Sequence, residues 1–267
     1  MAAIREPAVA GTFYPAHPNA LRKMVQGLLD IAKTEPTTIP KAMIVPHAGY
    51  IYSGEIAATG YRWLRDTDAR NVISRVVLVG PAHYVPVRGL AVDTAAEFAT
   101  PLGRVPVDIA MVEHLLALPQ VVALPAAHVR EHSLEVQLPF LQTVLGEFLL
   151  VPLAVGQTDA AEVAEVLSAA WGGRETLIVI SSDLSHFLDY DSARQIDRMT
   201  ATAIETLQPD AIAPEQACGR VGIQGLLRLA RRHNLRVKRV DLRNSGDTAG
   251  SKDRVVGYGA WVFISNE

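Results

Sequence analysis

Three apolar runs in this chain each deliver a histidine through a short turn, and no other feature of the sequence restricts the fold as much. They are Ala42-Met43-Ile44-Val45-Pro46-His47, Val76-Val77-Leu78-Val79-Gly80-Pro81-Ala82-His83 and Leu177-Ile178-Val179-Ile180-Ser181-Ser182-Asp183-Leu184-Ser185-His186. Four to six β-branched and aliphatic residues without polar alternation predict a strand covered on both faces, as in a largely parallel sheet flanked by helices. In such sheets the loops at the carboxyl ends of the strands line the ligand crevice. Three imidazoles at three strand ends therefore share one sheet edge, which predicts a metal or acid/base site.

The rest of the chain fits one α/β domain over residues 1–267, a sandwich with a central mixed, largely parallel sheet between helices. An amphipathic helix is predicted from Leu21 to Ala32, and another from Glu55 to Leu64 with Ser53 as its N-cap. Residues 89–107 read as short strands, with a hairpin around Thr100-Pro101-Leu102-Gly103 inserted at the sheet edge. Helical periodicity follows at 108–117 and 133–144, where Pro139 must kink or split the helix. Beyond it the pattern gives a strand at 148–154, helices at 159–171, 190–207 and 219–232, and closing strands at 235–241 and 255–264.

With 49% hydrophobic residues the chain can bury a substantial core, and a net charge of −3 offers no basic footprint for nucleic acid. No stretch approaches the roughly 18 apolar residues of a membrane span, and the first residues carry no apolar signal segment. The single cysteine excludes an intrachain disulfide and points to a reducing, cytoplasmic setting.

His47, in Val-Pro-His-Ala-Gly-Tyr, and His83, in Gly-Pro-Ala-His-Tyr, share a context of tight turns. Either alone reads equally well as a capping or core histidine. Together they suggest ligands, because neutral imidazole is the commonest protein ligand of zinc, iron and copper. Asp183 and His186 are three apart, which puts both on one face of a helical turn and suits a carboxylate orienting a proton-carrying imidazole.

Cys218 stands where a helix begins, beside Arg220, a setting that lowers a thiol pKa; a lone cysteine is otherwise a small buried hydrophobe. The run Glu131-His132-Ser133-Leu134-Glu135-Val136-Gln137 is either a solvated helix start or a rim that contacts substrate or supports the ligands from behind, with His132 and Glu135 as pocket residues. Tyr50 and Tyr52 are further candidates to line the pocket, while His17, His114, His128 and His233 lack supporting context. Gly-x-Ser-x-Gly, Gly-x-Gly-x-x-Gly, the P-loop and His-Glu-x-x-His are all absent, which argues against the corresponding hydrolase, nucleotide and zinc-protease templates.

Six ordered motifs make the chain resemble the Memo family, called AmmeMemoRadiSam system protein B in bacteria and archaea. They are the start Pro7 to Pro15, Pro46-His47-Ala48-Gly49-Tyr50-Ile51-Tyr52-Ser53-Gly54, Gly80-Pro81-Ala82-His83, Glu131 to Phe140, Ser181 to His186, and Asn244-Ser245-Gly246-Asp247 with Val256 to Ala260. The resemblance implies a fold similar to class III (LigB-type) extradiol dioxygenases, with His47 and His83 as metal ligands and His186 as acid/base. It also implies Cys218 as third ligand where those dioxygenases use a carboxylate, with Asp183 beside His186 near the metal.

Iron or copper is the implied metal, with zinc as a further fit. The resemblance further implies a small-molecule or peptide ligand and an association with a radical SAM protein. A thiolate ligand favours softer metals than a carboxylate does, and it is itself oxidisable. Three functions remain open: a metal-dependent, dioxygenase-like oxidoreductase, a protein that holds metal or peptide in the same crevice without turnover, and a zinc-dependent hydrolase.

Overall fold

The structure, a computed structural model, describes residues 3–265. In its first half β1 (Ile4–Arg5), α1 (Pro18–Ile31), β2 (Ala42–Val45), α2 (Tyr50–Arg65), α3 (Ala69–Val72), β3 (Arg75–Pro81), β4 (Leu90–Val92), β5 (Glu97–Thr100) and β6 (Gly103–Pro106) follow one another. Then come α4 (Ile109–Leu115), β7 (Val121–Ala123), α5 (Ala126–Val129), α6 (Leu138–Leu145), β8 (Leu149–Val155), α7 (Ala160–Ala169) and β9 (Thr176–Ser181). The chain continues through β10 (His186–Leu188), α8 (Tyr190–Glu205), α9 (Arg220–Arg232), β11 (Arg236–Asn244) and β12 (Val255–Ile264).

Nine strands form one mixed sheet in the order β10-β12-β2-β9-β3-β8-β4-β7, with β11 also paired to β12. Its middle, β2-β9-β3-β8, is parallel throughout, while β12 joins β2 and β4 joins β8 antiparallel. Every residue of β2 and β9 is buried, and β3 is buried after Arg75, as expected of strands covered on both faces. The carboxyl ends of β2, β9 and β3 therefore lie side by side, with β9 between the other two.

Helix α2 lies close against β2 because Gly60 has no side chain: a Cβ there would stand 2.9 Å from Met43 Cε and 3.0 Å from Val45 Cγ1. No helix among the described residues is long and apolar enough to cross a membrane.

Three local expectations are corrected. Ser53 is not an N-cap: α2 begins three residues earlier with Gly49 at the cap, and the Ser53 hydroxyl donates to the Ala48 carbonyl from inside the first turn. The β5–β6 hairpin forms, but off the main sheet; β5 pairs in parallel with β1, which makes a separate three-stranded sheet. Asp183 and His186 do not share a helical turn, because His186 opens β10 and pairs with Val256 of β12. Pro139 sits in the first turn of α6 after a short 3-10 turn at Glu135–Gln137, where its missing N–H costs nothing.

Candidate metal centre

His47, the second residue after β2, is almost fully buried, and a neutral relay holds its ring. The Ser181 hydroxyl donates to the Ser133 carbonyl (2.5 Å) and accepts from Gln137 Nε2 (2.8 Å). Gln137 is itself fixed, donating to the Pro46 carbonyl (2.9 Å) and accepting from the Tyr61 hydroxyl (2.8 Å). A serine has one proton to give, so His47 Nδ1, 3.0 Å from the same oxygen, must be the donor there. That tautomer leaves the lone pair on Nε2, which faces Cys218 Sγ at 3.3 Å.

His83, two residues beyond β3, is oriented by a charge instead. Its Nδ1 lies 2.9 Å from Glu131 Oε1 and its backbone N–H donates to Glu131 Oε2 (2.6 Å). Glu131 also accepts the backbone N–H groups of His132 (3.0 Å) and Ser133 (2.9 Å). Burial alone would raise this carboxyl, but the bonds from His83 and Ser133 bring it down to about 2, so it is an anion. A carboxylate on Nδ1 directs the His83 Nε2 lone pair outward and makes it a stronger donor.

Cys218 arrives from the turn before α9, over the end of β9. Gly219 permits this approach, since a Cβ there would stand 2.7 Å from Ser182 Cβ and 2.8 Å from the Ser181 carbonyl. The expected lowering of the thiol pKa is overturned: burial, then the charge of Asp183, pushes it up to about 12. Arg220 turns its guanidinium to Gln224 Oε1 (3.3 Å), so the thiol gains no nearby cation from it. Burial likewise holds the His47 imidazole down at about 3, with the charge of His83 adding to the effect. Without an ion, Cys218 and His47 are thus a neutral S–H and N pair.

The donor atoms of His47, His83 and Cys218 all lie within 4.8 Å of one another. Zinc, copper or iron bound to imidazole nitrogen and thiolate sulfur needs donors about 3.5 Å apart, so this set fits a first-row metal with little movement. Asp183 joins two of the three. Its Oδ1 accepts the His47 backbone N–H (2.7 Å), its own N–H donates to Cys218 Sγ (3.3 Å), and its carbonyl accepts the Cys218 N–H (3.3 Å). Asp183 is therefore a latch between the His47 and Cys218 loops, and no hydrogen bond joins it to His186 among the described residues.

The other candidates separate. His132 stacks on His83 (4.7 Å between ring centroids) and meets His47 edge-on (5.5 Å), and burial lowers its imidazole to about 4. His186 is half-buried and reaches His47 and Asp183 only electrostatically; its ring contact is with Phe187 (5.7 Å). Tyr52 stays on the surface, at 38% exposure. Tyr50 and Glu135 are not pocket residues: Tyr50 packs on Phe140 and donates to the Val136 carbonyl (2.6 Å), while Glu135 is sealed in a scaffold network with Arg5 and Tyr14. The sequence marks Glu131 and Gln137 only as members of a polar run and Ser181 only as part of a motif; it singles out none of the three as a residue that orients a histidine.

The family profile described as "Memo-like protein" matches residues 5–262. A "MEMO1 family protein" of Aquifex aeolicus is 36% identical over 275 residues, covering 98% of this chain and 99% of that one. One from Archaeoglobus fulgidus is 37% identical over 273 residues, covering 97% and 99%. Among solved structures, the uncharacterized protein JW3007 from Escherichia coli K12 shares the fold at a TM-score of 0.53 and 14% identity, covering 83% of this chain and 98% of that chain. Matched along nearly its whole length by the profile and by these relatives, the chain belongs to the Memo family.

Proposed function

We propose that this protein binds a single transition metal, iron or copper, on His47, His83 and Cys218, and uses it as a small-molecule oxidoreductase. One observation carries the reading: three good donors from three separate loops lie within 4.8 Å of one another. The metal would supply Lewis acidity and electron transfer; the rest of the chemistry falls to the protein.

The Ser181 relay and Glu131 hold the two imidazoles in the tautomers that leave Nε2 free for a ligand. The Cys218 thiol must release its proton on metal binding, because only the thiolate ligates. His132, neutral near pH 7 and stacked on His83, is placed to accept a proton from a substrate hydroxyl. His186, farther out at the start of β10, is the second proton carrier.

A second reading has a specific observation behind it. The thiol is soft and oxidisable. That suits a protein that holds Cu(I) without turnover.

The two readings part in one experiment. The protein is purified anaerobically, loaded in turn with Fe(II), Cu(I) and Zn(II), and assayed for bound metal and for oxygen uptake with a panel of catechols. The oxidoreductase reading expects one metal per chain, substrate-dependent oxygen uptake, and loss of both in Cys218→Ser. Tight Cu(I) binding with no uptake for any metal favours the holding role. Unchanged metal content in His47→Ala and His83→Ala would falsify the shared site.

A further inference from the structure

Away from the metal centre, a cleft of about 330 Å³ opens between α8 and β11, and arginines dominate its rim. Arg194 and Arg198 stand one turn apart on α8, both exposed and both lining the cleft. Like charges at this spacing repel, and among the described residues neither guanidinium has an ion-pair partner. Two more arginines reach the cleft from β11 already held in place: Arg239 by Glu205 (3.2 Å), and Arg243 by Asp241 (2.8 Å) and Glu55 (2.7 Å).

The acidic side chains of the cleft are occupied elsewhere. Asp241 is bound to Arg243, and Asp247 accepts the Tyr190 hydroxyl (2.5 Å) and the Asn244 N–H (3.0 Å). Asp197 is buried and accepts the Ser185 N–H (3.0 Å).

A second observation is independent of the arginines. Asn244 also lines the cleft and is 1% exposed; its Oδ1 accepts the Gly246 N–H (2.9 Å), which fixes the amide orientation. Its Nδ2 then has no hydrogen-bond partner. A buried donor left unpaired costs free energy, and an acceptor brought in by a ligand would remove that cost.

We propose that this cleft binds a phosphate group, free or carried by a small ester, between Arg194 and Arg198, with the Asn244 amide as a further donor. Planar guanidiniums on a tetrahedral oxyanion give the strong, charge-assisted and bidentate bonds that such a pair is suited to make. The size of the cleft leaves room for a sugar-sized remainder beside the phosphate.

Calorimetric titration of the full chain with glucose 6-phosphate, inorganic phosphate and glucose tests this. Saturable binding of at least one phosphate probe is expected, with glucose silent. A tighter ester assigns the site to phosphate esters, and equal affinities assign it to free phosphate. The double variant Arg194→Gln/Arg198→Gln should weaken binding about tenfold or more with its melting temperature retained. Arg231→Gln/Arg232→Gln, which removes the same charge from the end of α9, should not. Absence of saturable binding at low millimolar probe, or equal losses in the two double variants, overturns the proposal. A phosphoserine peptide that binds more tightly than either small probe overturns the small-ligand assignment.

Discussion

Glu131 and Glu135 are four residues apart, both are buried, and each accepts four hydrogen bonds, yet they serve different parts of the molecule. Glu131 takes the ring and backbone N–H of His83 with the N–H groups of His132 and Ser133, so all its bonds converge on the candidate metal centre. Glu135 takes Arg5, the Ala8 N–H (2.7 Å), the Val9 N–H (3.0 Å) and the Tyr14 hydroxyl (2.5 Å), and thereby ties the start of the chain to the core. Arg5 spans the two networks, donating to the Glu131 carbonyl (2.5 Å) as well as to the Glu135 carboxylate. A buried carboxylate is tolerated here when donors surround it; what those donors belong to decides its role.

The contrast is sharpest in Glu135→Ala, which leaves the Arg5 guanidinium buried without its carboxylate. A loss of about 3–5 kcal/mol in urea unfolding is expected, with metal affinity of the folded fraction unchanged. If the urea midpoint barely moves, the scaffold role assigned to Glu135 is wrong. Glu131→Gln keeps the shape but removes the charge behind His83. Metal affinity should fall about 10–100-fold in a competition titration, with a smaller effect on folding. An affinity equal to that of the unaltered protein would deny Glu131 its orienting role.

Asp197 tests the same rule from the other side. It is buried with the Ser185 N–H as its backbone donor, and its carboxyl rises from 3.8 to about 6 where that of Glu131 falls. A folded pKa raised above the unfolded one means that the folded state holds the proton more tightly. This contribution is therefore complete below pH 3.8 and lost as pH rises through about 6. Asp197→Asn should remove the penalty, stabilising the protein on the order of 2 kcal/mol at pH 7–8 and little at pH 4. Urea curves at the two pH values check this, and an equal shift at both would defeat it. Two tyrosines of one helix give the smallest contrast: Tyr50→Phe loses a buried bond worth about 1 kcal/mol, whereas Tyr52→Phe on the surface costs about 0.5 kcal/mol or less.

The parallel core and the edge where the histidines meet were legible because both follow from local pattern. An unbroken apolar run specifies a doubly covered strand, and the residues just past it must lie at that strand's carboxyl end. His47 and His83 could be placed this way, and His132 through its motif. The distinction between Glu131 and Glu135 could not, since both occupy one polar segment, and the distant donors that separate them come from residue 83 for Glu131 and from residues 5–14 for Glu135. The same holds for Asp183. Its spacing to His186 suggested a helical pair, but β12 draws His186 into a strand and leaves Asp183 to bond the His47 and Cys218 loops.

The sequence by itself determined which strands are buried on both faces, which loops share an edge, and which side chains are available there as donors. Tertiary structure alone decided how each donor is tuned. Burial raises the Cys218 thiol although its neighbours in the chain predict the reverse, and the Ser181 hydroxyl and the Glu131 carboxylate set two equivalent histidines by unequal means. The physical reason is that desolvation and hydrogen-bond partners depend on what packs around a group in space, whereas periodicity depends only on what adjoins it in the chain.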